Sequence, residues 1–178
     1  LNVNDVAGEI ITGDLMTPNG LQTNVSYILY SNAYQNADLI YYVDFGRAPR
    51  LEKLIRFKNA RTQFEYSFDI EYSDDVEFDE KDKNKIKKKW SEDAKLKIKK
   101  DSTLHVKKNG SNIRGISFKR FQIWDSHTEE NRNIESINVD IEKTGVNKYK
   151  LTKILPETFF DTATYPVYTD TTSTFYPD

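Results

Sequence analysis

The sequence predicts an all-β protein: an antiparallel two-sheet β-sandwich, with a jelly roll among the arrangements that fit, carrying a charged hairpin insertion. Three observations lead there. The composition is rich in residues suited to a pleated, half-buried surface, with 11 Tyr and 10 Phe against a single Met. Apolar and polar residues alternate with a period of two in run after run. Turn signals recur about every 8–12 residues, and no run is followed by a convincing crossover helix.

Taken in order, residues 5–12 read as a first strand ending at Thr12-Gly13-Asp14. A turn region follows at Met16–Gly20, with Pro18 and the tight-turn pair Asn19-Gly20. Residues 24–30 put Val25, Tyr27 and Leu29 on one face, while 37–45 is apolar on both faces, as a central strand would be. After a turn at Gly46–Pro49, residues 51–58 and 64–72 alternate, the second most clearly: Phe64, Tyr66, Phe68, Ile70 and Tyr72 inward. Residues 73–101 differ, because an acidic run leads into a lysine run anchored only by Trp90, Leu96 and Ile98. Such lysines suit an exposed edge hairpin. A short strand is predicted at 104–106, then a turn at Asn109-Gly110. A long strand at 113–124 changes phase, which predicts a bulge near Arg120. After a polar loop at 125–133, strands are predicted at 134–141 and 149–155, a helical turn at 156–160 with Pro156 at its start, and a last strand at 165–169. The domain expected is 1–170, with 171–178 a linker or strand leading into a following domain. The chain is expected to be a piece of a larger parent: its only methionine is Met16, and Leu1–Asp5 lack the basic start and apolar core of a signal peptide.

Composition narrows the chemistry. With no cysteine, disulfides, thiolate zinc sites and cysteine nucleophiles are excluded. Two histidines, His105 and His127, leave little for a His-rich metal site. A net charge of -2 argues against dedicated nucleic-acid binding, and no apolar run would span a membrane. Asp74-Asp75 and Glu129-Glu130 are adjacent carboxylates, but a glycosidase needs two facing each other across a bond. The run 74–82 lacks the alternating ligands and central Gly of a calcium loop. The field of the lysines at 83–100 is cancelled by the acidic run beside them. Asp125-Ser126-His127 sets three catalytic residue types side by side without a nucleophile elbow, and reads as a polar loop. Asn24-Val25-Ser26 and Asn109-Gly110-Ser111 match the glycosylation pattern at a frequency close to chance. Exposed aromatics would stack on sugars, with Tyr42, Trp90, Trp124 and Tyr168 the candidate platforms.

Two segments carry a resemblance. Ala37-Asp38-Leu39-Ile40-Tyr41-Tyr42-Val43, a turn, and Leu51-Glu52-Lys53-Leu54-Ile55 form the first. The second runs from Leu151 through Pro156 and Phe159-Phe160 to Ala163-Thr164-Tyr165-Pro166-Val167-Tyr168-Thr169-Asp170-Thr171-Thr172. Together they resemble the β-sandwich modules of phage virion proteins (tail, fibre and decoration) and of YD-repeat and wall-associated bacterial surface proteins. The resemblance implies a non-enzymatic module on a virion or cell surface, with no cofactor. It would pack on other structural subunits or domains, as a homo-oligomer or within a large assembly. It marks Asp38, Tyr41, Tyr165, Pro166 and Asp170 as a fold signature, Pro166 fixing entry to the last strand and Asp170 capping the turn after it. A glycan-binding adhesin module is the alternative function. A sandwich hydrolase is a third, with Asp125 its leading carboxylate.

Overall fold

A computed structural model describes residues 6–45, 50–59, 63–71, 76–78, 104–108, 114–118, 121–127 and 132–175. Among these the fold is the antiparallel two-sheet sandwich that the alternation predicts. The strands are β1 (Glu9–Thr17), β2 (Gly20–Tyr34), β3 (Ala37–Asp44), β4 (Arg50–Phe57), β5 (Glu65–Glu71), β6 (Val76–Phe78), β7 (Leu104–Lys108), β8 (Arg114–Phe118), β9 (Gln122–Trp124), β10 (Ile134–Ser136), β11 (Asn138–Gly145), β12 (Lys148–Ile154) and β13 (Val167–Phe175). One helix, α1 (Glu157–Thr162), precedes β13. The large sheet runs β1-β2-β3-β4-β13-β8-β7-β6, with β9 also on β13 and β10 on β9. The small sheet is β11-β12-β5.

Alternation decides what faces inward. On β12, Tyr149, Leu151 and Lys153 are buried, and on β11 Val139 and Ile141. They meet Leu39, Ile55, Phe57 and Val167 of the large sheet to form the main core. Helix α1 plugs one end. Phe160 lies 5.6 Å from Phe57 and 5.7 Å from Phe64, ring centre to ring centre, and each buried phenyl contributes about 2–3 kcal/mol. A second core lies on the other face of the large sheet, from Leu15, Tyr27, Leu29, Ile40, Tyr42, Leu54, Trp124 and Tyr168. All eight belong to one sheet, so that sheet must curl. Register shifts at Gly13/Leu15 and Tyr30/Tyr34 supply the bends. The curl brings the β1–β2 turn to β9: Trp124 Nε1 donates to the Met16 carbonyl at 3.2 Å, and Arg132 donates to the carbonyls of Thr17 and Pro18 at 2.6 and 2.8 Å.

Several predicted boundaries move. β1 passes through Gly13 to Thr17: Gly13 keeps its partner Val25, and the extra residue of the register shift lies on β2, where Asn24 has a left-handed φ of 58°. The turn centres on Pro18-Asn19, and Gly20 opens β2 at φ 119°. Residues 134–141 are two strands. At Ile137 the chain leaves the large sheet for the small one, its N–H bonding the Phe121 carbonyl at 3.1 Å. Arg120 lies outside the described residues, yet the register on either side carries the predicted bulge. Ser173 pairs with Phe118 and Thr169 with Ile123, so four steps along β13 match five along its neighbour. Residues 79–103, with Trp90 and most of the charged insertion, also lie outside. β6, inside the expected hairpin, and β7, just beyond it, pair antiparallel at the end of the large sheet. Residues 171–175 are strand: β13 runs through them between β4 and β8, so the sandwich extends past the expected boundary at 170.

Candidate functional site

Of the signature residues, Asp38, Tyr41 and Asp170 fall on strands at the centre of the large sheet, and Tyr165 and Pro166 on the segment entering β13. Asp38 sits on β3 with no exposed surface. Its Oδ2 accepts from Arg56 Nε and Nη2 at 3.0 and 2.7 Å, and its Oδ1 from the Asn32 N–H at 2.8 Å. Lys58 Nζ stands 2.8 Å from Oδ1. Burial pushes the carboxyl upward, but hydrogen bonds from Lys58, Asn32 and Arg56 outweigh it and hold the group below the usual carboxylate range. Asn32 has a left-handed φ of 54° inside the irregular stretch of β2. Asp38 therefore ties that bulge to β3 and β4. Tyr41 is half-buried beside the main core, edge-on to Tyr30. Tyr165 packs at the margin of the same core, and Pro166 leads into β13 through a cis peptide bond.

Asp170 does not cap a turn, because its strand continues to Phe175. Its carboxylate accepts the Gln122 N–H at 2.8 Å, bracing β9 where the bulge has shifted the register. Its carbonyl accepts a hydrogen bond from Lys153 Nζ, which crosses from β12. Lys153 is 1 % exposed. Burial pushes its amine down to about 7, opposed by the charge of Asp170 and assisted by that of Lys53. The ammonium of Lys153 lies over Phe121, 5.2 Å from the ring centre, and that of Lys53 over Phe68 at 4.9 Å. Burial lowers Lys53 too. On the opposite face of the sheet, Tyr42 is raised by burial and by the carboxylates of Glu52, Asp170 and Asp44.

Asp125-Ser126-His127 is not a triad. Asp125 has no exposed surface. Its Oδ1 accepts the N–H groups of Asn133 and His127 at 3.1 and 3.2 Å, and its Oδ2 the Asn133 amide and the Thr164 N–H at 3.0 and 3.1 Å. Ser126 donates to the Pro166 carbonyl at 2.5 Å, while His127 is exposed. Asp125 thus clamps its own loop to the segment entering β13. It faces no groove, and the hydrolase reading loses its leading carboxylate. The proposed sugar platforms are corrected as well. Tyr42, Trp124 and Tyr168 are buried at 7 %, 0 % and 6 % exposure, and Trp124 stacks on Tyr168 inside the second core. Trp90 lies outside the described residues. No cluster of three or more His, Cys, Asp or Glu side chains that could hold a metal ion occurs among the described residues.

The chain matches no known family model, no curated protein and no solved structure.

Ile10 pairs with Ile28, and Ile28 with Tyr41, so the three share a face of the large sheet. That is the face carrying the main core, since Tyr41 packs against it. Beyond the cover of the small sheet the row opens to water: Ile10 is 85 % exposed, Ile28 39 %, and Val43, two residues along β3 from Tyr41, 44 %. The alternation marked these positions as apolar without showing that the cover would stop short of them. Lys153 shows the converse. Its place in the row Tyr149, Leu151, Lys153, Leu155 was visible, but its partner, a carbonyl on another sheet, was not.

Proposed function

We propose that this chain is a non-enzymatic structural module that packs on neighbouring subunits or domains of a virion or extracellular surface assembly. The observation supporting it most directly is the uncovered stretch of the large sheet, where Ile10, Ile28 and Val43 face water on the side that elsewhere forms the core. Exposed contiguous apolar surface on a rigid sheet suits packing on another protein. The interior supports the same reading. Asp38, Asp125 and Lys153, the buried charges most capable of chemistry, hold strands and loops together through hydrogen bonds within the chain. The virion or surface setting rests on the resemblance of the β3–β4 hairpin and of the segment entering β13 to modules of such proteins. Fractionation of the source culture tests it. The protein should be enriched with the structural proteins of purified particles or of the cell envelope. Recovery as a free component of the cytosolic fraction would overturn the proposal.

A further inference from the structure

β1 ends the large sheet, and its outer side carries backbone groups with no strand beside them among the described residues. Edges of this kind pair with other strands unless charge, proline or short length prevents it. The other edges here have such protection. β5 presents Glu65, Asp69 and Glu71 to solvent, β11 presents Asp140, Glu142 and Lys143, and β6 is three residues long. From Ile10 to Gly13, β1 has none: the stretch is Ile-Ile-Thr-Gly, β-branched and uncharged. Ile10 is also the most exposed of the large apolar side chains among the described residues.

We propose that β1 is a homotypic edge, along which two copies of this chain pair antiparallel about a two-fold axis at Ile10. This deepens the assembly reading, on which it rests, by naming the partner. Apolar matching selects β1 of a second copy over the other edges of the chain: β5 and β11 present charged side chains, which offer Ile10 no apolar counterpart. In self-pairing about Ile10, each Glu9 stands opposite Ile11 of the other copy. The two-fold also sets Ile10 against its own mate with Ile28 flanking on both sides, making one row of four isoleucines across the joint. The two large sheets become continuous. An edge this short buries less than the roughly 1,200 Å² of a stable pair, so free copies associate weakly and copies held in an array associate firmly.

The chain has no cysteine, so one introduced thiol is a unique probe. The thiol of Ile10→Cys would face its counterpart across the axis, at the Cβ spacing of a directly opposed antiparallel pair, about 4.5–5.5 Å. Under mild oxidation the full chain carrying Ile10→Cys should form disulfide dimers at least tenfold faster than chain carrying Val146→Cys, an equally exposed site in the β11–β12 turn. Ile10→Lys in the cysteine-free chain should lower the sedimentation-detected dimer fraction at the highest soluble concentration. Equal crosslinking rates for the two thiols would overturn the inference. Association that survives Ile10→Lys would overturn it too, while leaving the assembly reading in place. If the protein instead proves a free cytosolic component, that reading fails, and selective crosslinking at Ile10 would still show a pairing edge.

Discussion

Replacing Lys153 by Met should make the protein more stable at neutral pH and remove much of the dependence of its stability on pH. The side chains are similar in volume, so the site stays filled. Free in water, this amine titrates near 10.5; inside the sandwich it is pushed down to about 7. Between those values the unfolded chain holds the proton and the folded chain does not. The unfolded state binds more protons there, so stability rises with pH across that window, by about 1.4 kcal/mol per unit, and is lowest below pH 7. The total rise is on the order of 5 kcal/mol. Met removes that penalty at pH 7 but leaves the Asp170 carbonyl without its donor, which costs about 1–3 kcal/mol. The net expected gain is about 3 kcal/mol at pH 7, shrinking to about zero by pH 9. Lys53 titrates in the same direction in both proteins, so the difference between wild type and variant reports Lys153 together with its coupling to Asp170 and Lys53. Urea unfolding followed by tryptophan fluorescence at pH 7, 8 and 9 measures it. The tyrosines raised by burial lower stability only above pH 10, outside the range. Parallel pH profiles for wild type and variant would refute the reasoning.

Three other outcomes follow from the same contacts. Asp38→Asn leaves Arg56 and Lys58 facing no carboxylate; both cations are partly exposed, so the loss should be about 2–3 kcal/mol, seen as a lower urea midpoint. Because the Asp38 carboxyl is held low, its contribution is present above the ordinary carboxylate range and should fade as wild type, unlike Asp38→Asn, is titrated toward pH 3. Asp125→Ala strips acceptors from the partly buried N–H groups of Asn133, His127 and Thr164, and should cost about 3 kcal/mol, a fall in Tm of about 6–12 °C by calorimetry. Removing residues 171–178 takes away half of β13 and its pairing with β8, and should abolish cooperative unfolding in circular dichroism.

The architecture was legible because alternation is local. Tyr66-x-Phe68-x-Ile70 and Tyr149-x-Leu151 state their faces within five residues, and the small sheet uses those faces. The phase change between Phe118 and Phe121 likewise announced the bulge that the register carries. Sheet membership was not legible. Nothing around Ile137 says that 134–136 belongs to one sheet and 138–145 to the other, since that depends on a bond to Phe121. The signature residues were found, but their work was misjudged at Asp170, where a turn was expected from the Thr-rich segment that follows. Those threonines are β-branched and suit a strand. The aromatics failed as sugar platforms because sequence gives a side chain's phase, and on a sheet that curls both phases are buried.

The order of strands also sets a timetable. β1 to β4 form a meander of neighbouring hairpins, so half of the large sheet can assemble from contacts close in sequence. Its other half, β6 to β9, joins the ladder of strands through β13, the last strand described. During synthesis the inner flank of β4 stands open until more than a hundred further residues have been made. That flank is a template for any strand of matching pattern, and the strand that matches best is β13. In a dilute chain it arrives from the same molecule. Where nascent copies are crowded it can come from a neighbour, and exchange of β13 would then link subunits through the same hydrogen bonds that complete each one alone.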